Sequence, residues 1–250
     1  MLRAYDSGRL FGEAEGPSPQ QVVCLHGWGR TSADFRATTT HLAAAGIGSV
    51  ALDLPGFGAS PLPETPGGAR AYAALVEPTL EEIAGGRQLC LVGHSFGGRV
   101  AIALAATRPD LVRCLTLTGV PLLAREGAPT RSPAMYRLVR SLARRGLVGE
   151  ARLERARQRY GSPDYRAATG VLRDVLVATV AETYEVELAA THQPVTLVWG
   201  AEDRDVPVST AERAARLLAH GSLQVIPGVG HLLPLSAPDA LARAVEGCRE

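Results

Sequence analysis

Gly93-His94-Ser95-Phe96-Gly97 places a serine between glycines where an apolar run ends and an alanine-rich stretch begins. That arrangement suits nucleophilic chemistry. Leu89-Cys90-Leu91-Val92 reads as a buried strand because it is apolar on consecutive positions, and Arg99-Val100-Ala101-Ile102-Ala103-Leu104-Ala105-Ala106 favours helix. A strand-to-helix turn of the form G-x-S-x-G strains its serine, and the glycines lack the Cβ that would hold strand and helix apart. Ser95 Oγ is then expected at the carboxyl edge of a sheet. The same stretch also fits an ordinary glycine-rich turn, so the reading depends on partners elsewhere.

A serine hydroxyl must lose its proton as it attacks. An imidazole in reach removes it, a carboxylate on the other ring nitrogen fixes the tautomer, and backbone donors stabilise the developing oxyanion. Two later stretches supply acid and base. Asp203 and its competitor Asp205 lie in Gly200-Ala201-Glu202-Asp203-Arg204-Asp205-Val206-Pro207, just past one apolar run, and His231 follows Gly228-Val229-Gly230 past another. His26 and His94 also sit at predicted strand ends, His41 and His220 fall on predicted helices, and His192 closes a helical stretch. In a parallel sheet such groups meet at the carboxyl ends of strands. His231, which ends a strand after the acid, is the expected base.

The elements that would position these groups alternate along the chain. Leu10 to Ala14 reads as an edge strand, Gln21 to Leu25 runs into His26-Gly27-Trp28-Gly29, and Ser32 is placed to cap a helix through about Ala45. Ser49 to Pro55 is a third strand, closing in Gly56-Phe57-Gly58-Ala59-Ser60, and Asp53 is expected to brace the loop after it. Residues 67–84 carry apolar positions at helical spacing, with Pro78 a kink point. Strands follow at Cys114 to Gly119, Val195 to Gly200 and Leu223 to Pro227, with helices to about Ala219 and over Pro238 to Gly247. Strand, glycine turn and helix in repetition imply right-handed crossovers and a mostly parallel twisted α/β sheet with helices on both faces.

From Pro121 to about His192 the rhythm stops. Three amphipathic segments appear there, Ser132 to Arg145, Gly149 to Tyr160 and Asp164 to about Glu182, so residues 121–192 are expected to form an all-helical insertion between core parts 1–120 and 193–250. Pro121–Glu187 holds 12 arginines against 8 acidic residues. These arginines are expected to face water and pair at helical spacing, as Glu150 and Glu154 could with Arg155 and Arg157.

Composition narrows the partners. The chain has 250 residues and a formal charge of +1, which gives no electrostatic reason to expect nucleic acid or an anionic membrane. It has no lysine, which excludes a lysine nucleophile or Schiff base. No stretch approaches the roughly 18 apolar residues of a membrane helix, and Met1-Leu2-Arg3-Ala4-Tyr5-Asp6 has no signal-type apolar core, so a cytoplasmic protein is expected. Cys24, Cys90 and Cys114 fall in predicted buried strands and Cys248 lies near the end. None forms a metal-type C-x-x-C pair, and structural thiols are the expected reading. No cofactor or metal is implied.

These residues carry a resemblance. His26-Gly27-Trp28-Gly29, Asp53-Leu54-Pro55-Gly56-Phe57-Gly58-Ala59-Ser60, Gly93-His94-Ser95-Phe96-Gly97-Gly98, and Gly200-x-x-Asp203-x-x-x-Pro207 followed by Gly230-His231 occur in the order found in α/β-hydrolase-fold enzymes. Over residues 10–247 the chain resembles the lid-bearing serine hydrolases of that fold, a group with esterases and C–C bond hydrolases. The resemblance implies a nucleophile, acid and base in the order Ser95, Asp203, His231, and its spacing favours Asp203 over Asp205. It implies an oxyanion hole from the backbone N–H groups of Trp28 and Phe96. The second is expected on physical grounds too, because Phe96 opens a helix whose first amides are unpaired. His26, Trp28, His94 and Phe96 are the expected pocket residues, and residues 121–192 would be the lid.

Serine at position 95 argues against relatives whose nucleophile is aspartate. Leu232 after the histidine departs from the tryptophan that C–C hydrolases tend to carry there. The expectation is a serine hydrolase of small to medium carboxylic esters or thioesters. The alternatives are a non-hydrolytic acyltransferase, cyclase or lyase, a C–C bond hydrolase using the same triad, or a ligand-binding protein that has kept the fold and lost turnover.

Overall fold

A computed structural model describes residues 1–124 and 162–249, together with 141–142, 145–149, 151–152, 154–155 and 159. Eight strands form one sheet: β1 (Leu2–Tyr5), β2 (Leu10–Glu15), β3 (Val22–Leu25), β4 (Ser49–Asp53), β5 (Leu89–His94), β6 (Val112–Thr118), β7 (Val195–Gly200) and β8 (Gly221–Ile226). Their spatial order is β1-β2-β4-β3-β5-β6-β7-β8. The first two strands pair antiparallel, β2 meets β4 antiparallel, and all pairings from β4 to β8 are parallel. The described helices are α1 (Arg36–Ala44), α2 (Ala69–Ala84), α3 (Phe96–Thr107), α4 (Pro163–Ala167), α5 (Gly170–Ala181), α6 (Glu185–Ala190), α7 (Val208–Leu217), α8 (Leu233–Ser236) and α9 (Pro238–Arg249).

The consecutive apolar residues of the central strands feed two cores. Val23, Leu25, Val50, Leu52, Leu89, Leu91, Leu115 and Leu117 face α2 and α3. Their neighbours Val22, Cys24, Ala51, Cys90, Val92 and Cys114 face α1 and α9. Both faces are therefore covered, which is why alternation is invisible in these strands.

Three local expectations are corrected. Leu10–Glu15 is not the edge, because β1 pairs outside it from Leu2↔Glu13 to Tyr5↔Leu10. With only Tyr5 of β1 buried, that strand has no apolar pattern to reveal it. Ser32 does not cap a helix; it opens a 3-10 turn, Ser32–Phe35, and its N–H donates to Asp53 Oδ1 at 2.7 Å. His220 lies in an exposed turn after α7 and not on the helix.

The helical segment between β6 and β7 includes α4, α5 and α6. Asp164 to Glu182 is broken into α4 and α5 at Ala168-Thr169, both extended, just before Gly170 at φ 53°. Ser162 starts α4 by accepting the Tyr165 N–H at 3.2 Å, with Pro163 in the first helical position. The expected segments Ser132–Arg145 and Gly149–Tyr160 lie mostly outside the described residues, as do Glu150 and Arg157 of the expected ion pairs. Glu154 pairs with Arg173 on α5, at 3.3 Å.

The returning arm of this segment is fastened to the core. Glu182 Oε2 accepts the N–H of Ala69, the first residue of α2, at 2.8 Å, where a negative charge meets the positive end of the helix. Arg70 reaches back to Glu187 at 2.5 Å and to the Thr183 carbonyl at 2.7 Å.

Candidate active site

Ser95 sits between β5 and α3 at φ 49°, ψ −110°. A non-glycine residue in that region costs about 1–3 kcal/mol and persists only where its surroundings impose it. Here the Ser95 N–H donates to the Thr118 carbonyl on the neighbouring strand at 3.0 Å, and the Gly97 N–H to the His26 carbonyl at 3.0 Å. The turn also needs bare backbone. A Cβ on Gly93 would lie 2.4 Å from Gly98 Cα, so the helix can start this close to the strand only with glycine there. Ser95 is left half-buried at the carboxyl edge, ahead of the first amides of α3.

The loops after β7 and β8 bring a carboxylate and an imidazole together. His231 Nδ1 lies 2.9 Å from Asp203 Oδ2. Asp203 Oδ1 accepts the N–H groups of Asp205 at 3.0 Å and Val206 at 2.8 Å, so the carboxylate cannot turn away. Trp199, fully buried on β7, secures the same loop through its indole N–H, which donates to the Val206 carbonyl at 2.9 Å. A Cβ on Gly200 would lie 2.3 Å from the Val229 carbonyl oxygen, so glycine lets the His231 loop close over the end of β7. Asp205, the competing acid, is exposed and offers this carboxylate only its backbone N–H.

The two loops converge on the elbow through His94. Its ring centroid is 4.9 Å from that of His231, and its Nδ1 is 3.1 Å from the Thr118 carbonyl. A carbonyl only accepts, so Nδ1 carries the proton. Burial, and then the neighbouring His231, push the His94 pKa down to about 4, so this ring is a neutral spacer beside Ser95.

His26 is placed differently from the expectation. Expected in the pocket wall, it is fully enclosed behind the loop. Its Nε2 accepts the Leu54 N–H at 3.0 Å, which leaves Nδ1 to donate to the Gly27 carbonyl at 2.8 Å. Burial lowers its pKa and keeps it neutral. It ties the loop after β3 to the loop after β4, and its test is stability rather than substrate contact. Trp28 is half-buried, and its ring meets Phe96 edge-on at 5.4 Å and Phe57 at 5.1 Å; Phe96 also meets Tyr72 at 5.0 Å. These rings form an apolar wall beside the elbow, although Phe96 itself is almost wholly buried.

Several positioning groups have no sequence signal. Thr118 acts through its carbonyl, which any residue could supply. Arg99 is buried on α3, where its guanidinium donates to the Thr179 carbonyl of α5 and lies 5.7 Å from the Tyr184 ring. That arginine couples α3, the helix that follows Ser95, to α5. Among the described residues, one set of potential metal ligands comes within 4.8 Å: Asp203, Asp205 and His231. A cation there would have to displace the bond between Asp203 and His231.

No described helix is long and apolar enough to cross a membrane. Comparison with known proteins places these features in context. Residues 22–244 match the family model described as the alpha/beta hydrolase family. The pimeloyl-[acyl-carrier protein] methyl ester esterase of Chromobacterium violaceum is 31% identical, over 94% of this chain and 96% of its own length. Among solved structures, the 2-hydroxy-6-oxo-6-phenylhexa-2,4-dienoate hydrolase of a Rhodococcus species superposes with a TM-score of 0.73 at 24% identity, covering 99% of this chain and 98% of that one. A thioesterase domain from the curacin biosynthetic pathway gives 0.71 at 23% identity, with 98% of each chain covered.

Proposed function

This chain belongs to the alpha/beta hydrolase family, and we propose that it is a serine hydrolase acting on a carboxylic ester or thioester of small to medium size. The observation that carries the proposal is the strained Ser95 turn, at φ 49°, beside a His231–Asp203 pair at 2.9 Å. A fold has no need to hold a serine in that conformation for stability alone. Relatives named as methyl ester esterases and a thioesterase structure support the substrate class.

In this reading the Asp203 carboxylate accepts the Nδ1–H of His231, which leaves Nε2 unprotonated for Ser95 Oγ. His231 takes the serine proton as Oγ attacks the carbonyl carbon. The N–H groups of Trp28 and Phe96 receive the oxyanion, a task that α3 favours because its first amides carry partial positive charge. His231 then returns the proton to the leaving alcohol or thiol. Water, activated by the same histidine, releases the acid from Ser95. The segment over residues 121–192, to which α4, α5 and α6 belong, serves as a lid that shapes the acyl pocket and limits bulk water.

The test is turnover of p-nitrophenyl butyrate, alongside labelling by a fluorophosphonate probe. The expected result is a covalent adduct on the tryptic peptide Gln88–Arg99 and a loss of about 10⁶-fold in kcat for Ser95→Ala. Labelling without turnover would redirect the proposal to acyl transfer. A folded protein that neither labels nor turns over ester would overturn it.

A further inference from the structure

At the opposite edge of the sheet, a cleft of about 410 Å³ is lined by Arg87, Arg113 and Arg249, by Gln21 and Gln88, and by Cys90. Among the described residues, no acidic side chain lines it. Behind Cys90 stands Cys114, with the two sulfurs 2.7 Å apart. The register explains the contact. Leu89 opposes Val112 but Cys90 opposes Cys114, so a bulge skips Arg113, which turns out to the cleft while the two thiols face each other inside. Adjacent strands run about 4.7–4.9 Å apart, within the roughly 4.4–6.8 Å between Cα atoms that a disulfide spans. Strand pairing therefore holds the two cysteines within the Cα range that a disulfide bridges.

We propose that Cys90 and Cys114 are a peroxide-reactive thiol pair, which closes to a reversible disulfide at the floor of the arginine cleft. Neither thiol has a part in the ester chemistry proposed for Ser95. Cys90 is the attacking group because it alone of the pair lines the cleft. The Cys114 thiol donates to it and holds its pKa down against burial, with help from Arg249 and Arg113, while Cys114 itself is pushed up and stays protonated. The Cys90 thiolate attacks one oxygen of hydrogen peroxide, the O–O bond breaks, and hydroxide leaves. The resulting sulfenic acid is attacked by Cys114 sulfur, which gives up its proton as the hydroxyl departs as water. Peroxide gains two electrons and the two thiols lose them.

Cys248 is the rival partner. It packs in the same core, but its thiol faces the carbonyls of Leu115 and Pro194 at 3.3 Å and 3.6 Å, and it does not line the cleft. The sequence makes the experiment unambiguous. With no lysine, trypsin leaves each cysteine on its own peptide: Leu10–Arg30, Gln88–Arg99, Cys114–Arg125 and Ala244–Arg249. The native protein is treated with hydrogen peroxide, alkylated in denaturant without reductant, digested and weighed. The expected product joins Gln88–Arg99 to Cys114–Arg125 with the loss of two hydrogens, is undone by dithiothreitol, and forms while Cys24 remains alkylatable. In Cys114→Ser, a dimedone adduct should appear on Cys90 instead. A Cys114–Cys248 link, or Cys90 and Cys114 both still fully alkylatable after peroxide, would overturn the proposal, and these readings of the parent protein stand even if the variant fails to fold.

Discussion

Asp53 and Asp203 are both buried carboxylates at the carboxyl ends of strands, and they are used in opposite ways. Asp53, closing β4, accepts the Ser32 N–H on Oδ1 at 2.7 Å and the Ala59 N–H on Oδ2 at 2.8 Å. Both of its oxygens serve backbone, so it fastens two loops. Asp203, after β7, gathers its backbone donors on Oδ1 and keeps Oδ2 for His231. The histidines divide in the same manner. His26 spends both ring nitrogens on backbone, whereas His231 spends one on Asp203. A polar side chain becomes available to a reaction when the fold satisfies it only in part.

Three measurements would break or sharpen this contrast. The largest effect is expected for Asp203→Asn, which keeps the size of the side chain but removes the acceptor that selects the His231 tautomer. Ester turnover should fall about 10⁴-fold while the denaturation midpoint moves little. Equal kcat in variant and parent would show that Oδ2 is structural after all, like Asp53.

Next comes pH. His94 has a folded pKa of about 4 against an ordinary value of 6.5. Above pH 6.5 the ring is neutral in both folded and unfolded chains and contributes no pH dependence. As pH falls from 6.5 to 4 the unfolded chain takes up the proton and the folded one does not, so about 3 kcal/mol of stability should be lost across that window. Urea unfolding at stepped pH measures it, and His94→Gln should flatten that part of the profile. An unchanged slope in the variant would assign the acid loss to another group.

The smallest effect is expected for Asp53→Asn. Its amide can serve one of the two N–H donors and must turn an N–H toward the other, which should cost about 1–3 kcal/mol in unfolding free energy. In the folded fraction kcat should stay near that of the parent. A large loss of kcat without loss of stability would put Asp53 on the catalytic side of the comparison.

How much of this was legible depended on the range of each interaction. The Ser95 turn was readable because Gly93, Ser95, Gly97 and Gly98 act on one another within a few residues. The role of Asp53 was half readable. Its loop to Ala59 is close in sequence, but its second bond goes back to Ser32, beyond the end of the neighbouring strand β3. His26 is legible as a residue beside the site that orients the loop after β3, but nothing local announces that the Leu54 N–H would occupy its ring. β1 escaped notice because an edge strand with one buried side chain has no apolar pattern to betray it. Arg99 escaped because its partners, Thr179 and Tyr184, lie far along the chain.

By itself, the sequence determined the alternation of strands and helices, the site of the strained serine, and the order in which Ser95, Asp203 and His231 appear. Those are consequences of local sterics and of apolar runs that must be covered on both faces. Only the tertiary structure decided that His231 pairs with Asp203 and not with Asp205, that His26 is a clamp, and that Cys90 meets Cys114 beneath an arginine cleft. Each of those outcomes turns on a few ångströms between residues from separate strands and loops. Register, a single bulge and the close approach permitted by glycine set such distances, and residue type alone does not carry them.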